Sequence, residues 1–321
     1  PSVGVCLYVG YLGAKIFRWL NQQAFFSRII GKFVYILVFL ILSVRTYHQC
    51  DVWQNSETMW THLIQKEPRM FIPFLNRGVH YMENKRYDEA LLDFNRVIEL
   101  TEDDDRAFNN RGLIYFDNNL LELALKDFNQ AILINPRNKS ALNNRGLVYR
   151  QQQKLEAALA DFTVVLAQSP QDYIALDNRA KVYIEMKEYD LALDDLNSSL
   201  KINPDYESAF FNRGVVYNKI GEYAQAAKDF TRVIKLNAGD AKAYNNRAMC
   251  LFVLGDYPAA VNDLSASIQL DPDNGGTYFN RAVCLKALQR YQDAYVDVIQ
   301  AKVLGYETDK GFVEEIENLI K

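Results

Sequence analysis

The chain has 321 residues, 49% of them hydrophobic and 24% charged, with a net charge of −4. That is enough apolar material for one large or two modest folded domains, and it excludes a disordered chain. Residues 1–50 hold Lys15, Arg18, Arg28, Lys32 and Arg45 and no acid, so 51–321 carry a net charge of −9, which disfavours a nucleic-acid partner.

The chain opens on Pro1 with apolar residues at once, and it reads as a fragment of a longer protein without a signal peptide. Residues 33–44, FVYILVFLILSV, are apolar on every helical face. Extended back through Phe25, Phe26, Ile29 and Ile30, the run reaches the roughly 20 residues that span a bilayer. Residues 3–17 form a second apolar stretch. Spans are therefore expected at 3–17 and 25–44, with two buried core helices as the alternative. The loop between them carries Lys15, Arg18, Arg28 and Lys32. Basic loops stay in the cytoplasm, which puts the rest of the chain in periplasm or organelle lumen.

From Phe71 the sequence repeats every 34 residues, with units beginning at Phe71, Asp105, Lys139, Tyr173, Glu207, Ala241 and Gly275. Position 8 is always small (Gly78, Gly112, Gly146, Ala180, Gly214, Ala248, Ala282) and position 20 always alanine. Small residues there allow two helices to approach closely, and larger ones would overpack the contact. Position 24 is large and apolar, from Phe94 to Val298. Proline closes most units at position 32. Glu102, Ala238 and Tyr306 stand there instead in units 1, 5 and 7, which predicts looser turns.

With a stretch such as AFNNRGLIYFDNNLLELALKDFNQAILINP, residues 71–308 resemble the tetratricopeptide repeat along their whole length. The resemblance implies an all-α fold, an α-α superhelix of antiparallel helix pairs with a concave groove, here preceded by one or two transmembrane helices. Residues 51–70 match the second half of a repeat and would cap the first end. Residues 309–321 read as a closing helix, with Thr308 or Asp309 as N-cap and a stripe of Phe312, Ile316, Leu319 and Ile320.

Position 6 is asparagine throughout: Asn76, Asn110, Asn144, Asn178, Asn212, Asn246 and Asn280. In the family this position lines the concave face. A carboxamide offers donor and acceptor, so the ladder could hold an extended peptide backbone, similar to the groove of O-linked glycosyltransferases. The alternative is that each amide bonds within the scaffold. Position 5 supplies further groove candidates in Asn109, Asn143, Phe211, Asn245 and Phe279. Chaperone-tail clamps of the family need lysine at position 5, and no repeat has it. Arginine at position 7 and aspartate at position 23 recur in every repeat, from Arg77 and Asp93 to Arg281 and Asp297. They are expected to pair as scaffold, within a repeat or with the next.

Cys250 and Cys284 share position 10 of consecutive repeats, too far apart for a disulfide, and are expected reduced in the core. With three histidines and no HExxH or GxSxG, no catalytic site, cofactor, metal site or small-molecule substrate is expected. The acidic turns at Asp103–Asp105 and 271–276 read as helix caps. Asn138 and Asn197 begin glycosylation sequons. Residues 1–68 also resemble the junction in transmembrane-and-tetratricopeptide-repeat proteins of the GT-C O-mannosyltransferase class. That resemblance implies a glycosyltransferase domain upstream and carries no catalytic residue onto this chain. The function expected is a membrane-anchored module binding protein or peptide clients on the non-cytoplasmic side and touching lipid through its N-terminal segment. The alternatives are the substrate-presenting part of a membrane O-glycosyltransferase and a cytosolic assembly scaffold.

Overall fold

The computed structural model describes residues 11, 12, 14–19, 22, 25–52 and 55–320, with side chains for all of these except 25–28, 45 and 48–52. The described residues form helices and turns. α1 runs from Phe25–Val52 and α2 from Ser56–Lys66. Seven helix pairs follow at the 34-residue period. These are α3 (Phe71–Glu83) and α4 (Tyr87–Thr101), α5 (Asp105–Asp117) and α6 (Leu121–Ile134), α7 (Lys139–Gln151) and α8 (Leu155–Gln168), and α9 (Tyr173–Met186) and α10 (Tyr189–Ile202). Then come α11 (Glu207–Lys219) and α12 (Tyr223–Leu236), α13 (Ala241–Val253) and α14 (Tyr257–Leu270), α15 (Gly275–Ala287) and α16 (Tyr291–Val303), and lastly α17 (Lys310–Ile320). The chain divides into two compact units, Pro1–Ile114 and Tyr115–Lys321.

Each pair is closed by one device. Position 15 (Lys85, Asn119, Gln153, Lys187, Gly221, Gly255, Gln289) is left-handed, with φ between 58° and 85°. The next N–H then reaches back to the carbonyl of position 11, as from Arg86 to Tyr81 and from Asp256 to Leu251, at 2.8–2.9 Å. This satisfies carbonyls that a helix end leaves orphaned. Five of the seven first helices start from side-chain caps: Asp104, Asn138, Asp172, Asp240 and Asn274 each accept the N–H three residues on. The acidic turns are therefore caps. Ala238 does not loosen its turn, because α12 ends at Asn237 in the extended form also seen at Asn135 and Asn203. The difference expected at Glu102 is present, since that residue is left-handed with φ of 56°.

The seven alanines at position 20 are fully buried. Opposite them, position 8 follows the size of position 24. A Cβ at Gly78, Gly146 or Gly214 would lie 2.7, 2.9 or 3.0 Å from the ring of Phe94, Phe162 or Phe230. Alanine occurs at 180, 248 and 282, where position 24 is Leu196, Leu264 or Val298. Cys250 and Cys284 are free and fully buried in separate clusters, and burial pushes both thiols up to about 11.

α2 docks on the first repeat as a half-repeat should. Thr61 accepts from Arg77 Nη1 at 3.0 Å, and Glu57 accepts from the Tyr81 hydroxyl at 3.0 Å and from Arg86 at 2.9 Å. Trp53 lies outside the described residues. At the other end Asp309 is the cap, accepting from the Phe312 N–H at 2.7 Å. The buried face of α17 is Val313 and Ile316. Leu319, expected in that face, is 45% exposed, because the helix turns it away from α16.

The structure does not show the expected spans as such. Residues 3–10 lie outside the described residues. Among the described residues no helix is long and apolar enough to cross a membrane. Along α1 the stretch with side chains described without a break is 29–44. Within it the large apolar side chains from Phe33 to Val44 are exposed, apart from the half-buried Tyr35.

Candidate functional site

In the second unit the consecutive first helices α7, α9, α11, α13 and α15 touch one another, and consecutive second helices come less close. A stack whose first helices crowd and whose second helices spread presents the first helices on its inner face. Positions 5, 6 and 9 of each first helix share this face, because residues three or four apart on a helix are neighbours.

The scaffold under this face is a set of arginine bridges. In six repeats the position-7 arginine grips the position-23 aspartate of its own repeat through two parallel bonds of 2.6–2.8 Å, as Arg145 does with Asp161 and Arg247 with Asp263. The aspartates are buried. The third guanidinium nitrogen reaches position 25 of the preceding repeat: Asn129 from Arg145, Asn197 from Arg213, Thr231 from Arg247 and Ser265 from Arg281. Hydrogen bonding to the aspartate, foremost among the causes, raises the arginine pKa in each of these repeats. The arginines are structural, and one residue type ties three helices together.

The asparagine ladder has a divided role. Asn178 donates its Nδ2 to Asn143 Oδ1 at 3.0 Å, Asn212 to Asp177 Oδ1 at 2.7 Å, and Asn280 to Asn245 Oδ1 at 3.0 Å. Each bond runs to position 5 of the repeat before. Asn246 instead donates to the Lys242 carbonyl at 2.9 Å. Asp177 and a carbonyl can only accept, which fixes the amide orientation at Asn212 and Asn246. The donor half of these amides is thus used by the scaffold. Among the described residues no donor reaches the Oδ1 atoms of Asn178, Asn212, Asn246 and Asn280. Asn212, Asn246 and Asn280 are half-buried and keep an acceptor on the solvent side, whereas Asn178 is buried.

The remaining candidates separate. Asn109 is buried and donates to Asn110 at 3.1 Å, which makes a local pair. Asn143 and Asn245 serve as the acceptors just described. Phe211 stands edge-on to Phe230 at 5.6 Å between centroids, and Phe279 packs on Phe312 at 5.2 Å and Tyr306 at 5.4 Å. Both rings help to hold the scaffold. Asn76 is half-buried at its equivalent place in the first unit, and Asn144 is half-buried in the second.

Repeat 4 departs from the pattern. Asp177 at position 5 is fully buried and accepts from Lys181 Nζ at 2.7 Å, Ser208 Oγ at 2.8 Å and Asn212 Nδ2 at 2.7 Å, with the Tyr206 hydroxyl at 3.4 Å. Burial, then the charge of Asp177, pushes the Tyr206 hydroxyl up to about 12. Beside this cluster a cavity opens between α11 and α13, lined by Tyr206, Glu207, Ser208, Phe211, Asp240 and Lys242. Sequence reasoning missed the cluster. Its signal was present in a charged pair, Asp177 and Lys181, four residues apart at positions that hold no such pair in any other repeat.

Among the described residues no group of three or more metal-ligating side chains gathers. The sequons offer little to modification, since Asn138 is a helix cap and Ser199 is buried with its hydroxyl on the Tyr173 carbonyl.

A family profile described as "Tetratricopeptide repeat" matches residues 106–138, 208–240 and 241–274, and a second, "TPR repeat", matches 78–119 and 180–221. The matched segments are tetratricopeptide repeats. Similar solved structures agree on the fold. A tetratricopeptide repeat protein from Parabacteroides merdae is 21% identical, with a TM-score of 0.58 over 78% of this chain and 98% of its own. PilF of Pseudomonas aeruginosa is 20% identical, with a TM-score of 0.60 over 67% and 96%. The Cut9–Hcn1 hetero-tetramer of the APC/C aligns at 13% identity and a TM-score of 0.65 over 83% and 52%. No curated protein matches the chain, and none of these comparisons supports the O-mannosyltransferase resemblance.

Proposed function

We propose that this chain is a non-catalytic protein-interaction module that holds an extended polypeptide along the inner face of repeats 3–7. The observation that carries the reading is the row of Oδ1 acceptors left without a protein donor on the half-buried Asn212, Asn246 and Asn280, one per repeat. An extended polypeptide presents main-chain N–H groups at regular intervals, and such a row can take them without reading side chains. A structurally similar chain occurs in the Cut9–Hcn1 hetero-tetramer, which fits a helical stack acting by binding. The test is binding of the full chain to an array of 12-residue peptides, with and without N-methylation of alternate amides. Methylated peptides should lose about tenfold in affinity, which corresponds to roughly one lost hydrogen bond with its desolvation. Equal binding of the two sets rules out capture through the N–H groups.

We also propose that α1 holds this module at a bilayer. Support comes from the exposed apolar side chains of 33–44 together with the apolar sequence back to Phe25. Lys15 and Arg18 ahead of α1, with Arg28 and Lys32 in its first two turns, favour the cytoplasm for that end of α1, and so the opposite side for the repeats. Protease treatment of vesicles sealed with their cytoplasmic face inward tests the sidedness. Digestion of the repeats without lysis is the expected result. Protection until lysis would put them in the cytoplasm, as an assembly scaffold. The glycosyltransferase alternative has no support in the described residues and is tested by upstream sequence.

A further inference from the structure

The groove reading leaves open how a client finds one register, and the inference that follows rests on that reading. Both partners are periodic. The ladder repeats every 34 residues along the chain, and a polypeptide backbone repeats at every residue. Main-chain contacts alone therefore stabilise many registers equally, and only a side-chain contact at a unique point of the face can select one.

Repeat 4 holds such a point. Position 9 is Val79, Leu113, Leu147, Val215, Met249 or Val283 in the other repeats and Lys181 in this one. Among the described residues the Lys181 ammonium has one partner, Asp177 at 2.7 Å, and its side chain stays 27% exposed. An ammonium carries three N–H donors, so two remain for solvent or a client. Asp177, for its part, also receives the Ser208 hydroxyl and the Asn212 amide. Its charge is thus shared among several donors and does not consume the lysine. Lys181 lies one helical turn from Asn178 and shares its partner Asp177 with Asn212 of the following repeat. A client that covers Lys181 with an apolar side chain strands two N–H groups, a penalty comparable to a lost charged hydrogen bond. A client that places an acceptor there avoids it.

We propose that Lys181 is a specificity-determining residue that selects clients carrying an aspartate or glutamate side chain at one fixed place in the bound segment. Asp177 is the positioning residue that anchors its stem. Repeat 3 supplies a control already tolerated by the fold, with Asn143 and Leu147 at the same two positions.

The experiment uses the full chain on arrays of 12-residue peptides in which each position of a binding sequence is varied through all amino acids. The wild type should prefer Asp or Glu at one position by about tenfold over Leu or Ala. Lys181→Arg should keep that preference. Lys181→Met, and the double variant Asp177→Asn with Lys181→Leu, should bind the same peptides without it, and melting curves on each variant establish that it is folded. An acidic preference that persists in both lysine-free variants, or its absence in the wild type, overturns the role of Lys181 alone. Failure of the wild type to bind any peptide on the array overturns the groove reading as well.

Discussion

At position 8 the choice between glycine and alanine is made by a side chain sixteen residues away. Where position 24 is phenylalanine the position is glycine, and where it is leucine or valine the position is alanine. Gly214 and Phe230 show the cause, since a methyl at 214 would stand 3.0 Å from two ring carbons of a fully buried side chain. Gly214→Ala should therefore cost about 1–3 kcal/mol through overpacking. Adding Phe230→Leu, the pairing found at Ala180 and Leu196, should recover most of that loss, although Phe230→Leu alone is destabilising. Urea denaturation of the two single variants and the double completes the cycle, and additive losses would mean that the sixteen-residue pairing is coincidence. Smallness at position 8 was legible in the sequence. Its tie to position 24 became visible only with the distance between ring and Cβ.

Among the helices, α2 shows how a half-repeat is fastened. Glu57 takes hydrogen bonds from Tyr81 and Arg86. Burial pushes the Glu57 carboxyl up, but the bonds from Arg86 and Tyr81 and the Arg86 charge outweigh it, and the net shift is downward from 4.5. A carboxyl whose folded-state pKa is depressed contributes stability above its unfolded value and loses it as the pH falls through the folded one. The docking of α2 should thus weaken as the pH drops below about 4.5, ahead of the repeats. Hydrogen exchange over 56–66 reports this, and Glu57→Gln should flatten the dependence. If exchange there rises no earlier than in α9 or α13, Glu57 does not hold the cap. Much at this scale was legible. The 34-residue spacing placed all fourteen repeat helices, because small, large and breaker residues recur in phase. The misreadings lie at edges and turns. Ala238 needs no proline to end α12, since the extended backbone at Asn237 ends it. Leu319 is exposed because α17 turns only the face of Val313 and Ile316 onto α15 and α16, so the face it buries is narrower than apolar content suggests. The amide ladder was half legible: its regularity was plain, but nothing in the sequence says which atom of a carboxamide the scaffold takes.

Over the second unit as a whole, the arginines convert a row of helix pairs into a cooperative stack. Each repeat touches only its neighbours, so stability is a sum of repeat terms and interface terms. Arg213 enters both, through Asp229 in its own repeat and Asn197 in the one before. Arg281 makes the same contacts, to Asp297 and Ser265, at the last repeat. Arg213→Met and Arg281→Met each leave a buried aspartate without its partner, at a cost of roughly 3–5 kcal/mol, towards the low end because the guanidinium keeps some contact with water. Equal local losses should have unequal consequences. A break at Arg213 weakens the junction between repeats 4 and 5 and lets the segments on either side open separately. A break at Arg281 frees only repeat 7 and α17 from a stack that is otherwise intact. Hydrogen exchange should rise on both sides of α11 and α12 in the first variant, with a broadened or split calorimetric transition. In the second variant the rise should be confined to residues beyond 275. A uniform rise across residues 115–320 in both variants would mean that the unit unfolds as one block, and that the arginine bridges stabilise it without dividing it into neighbours.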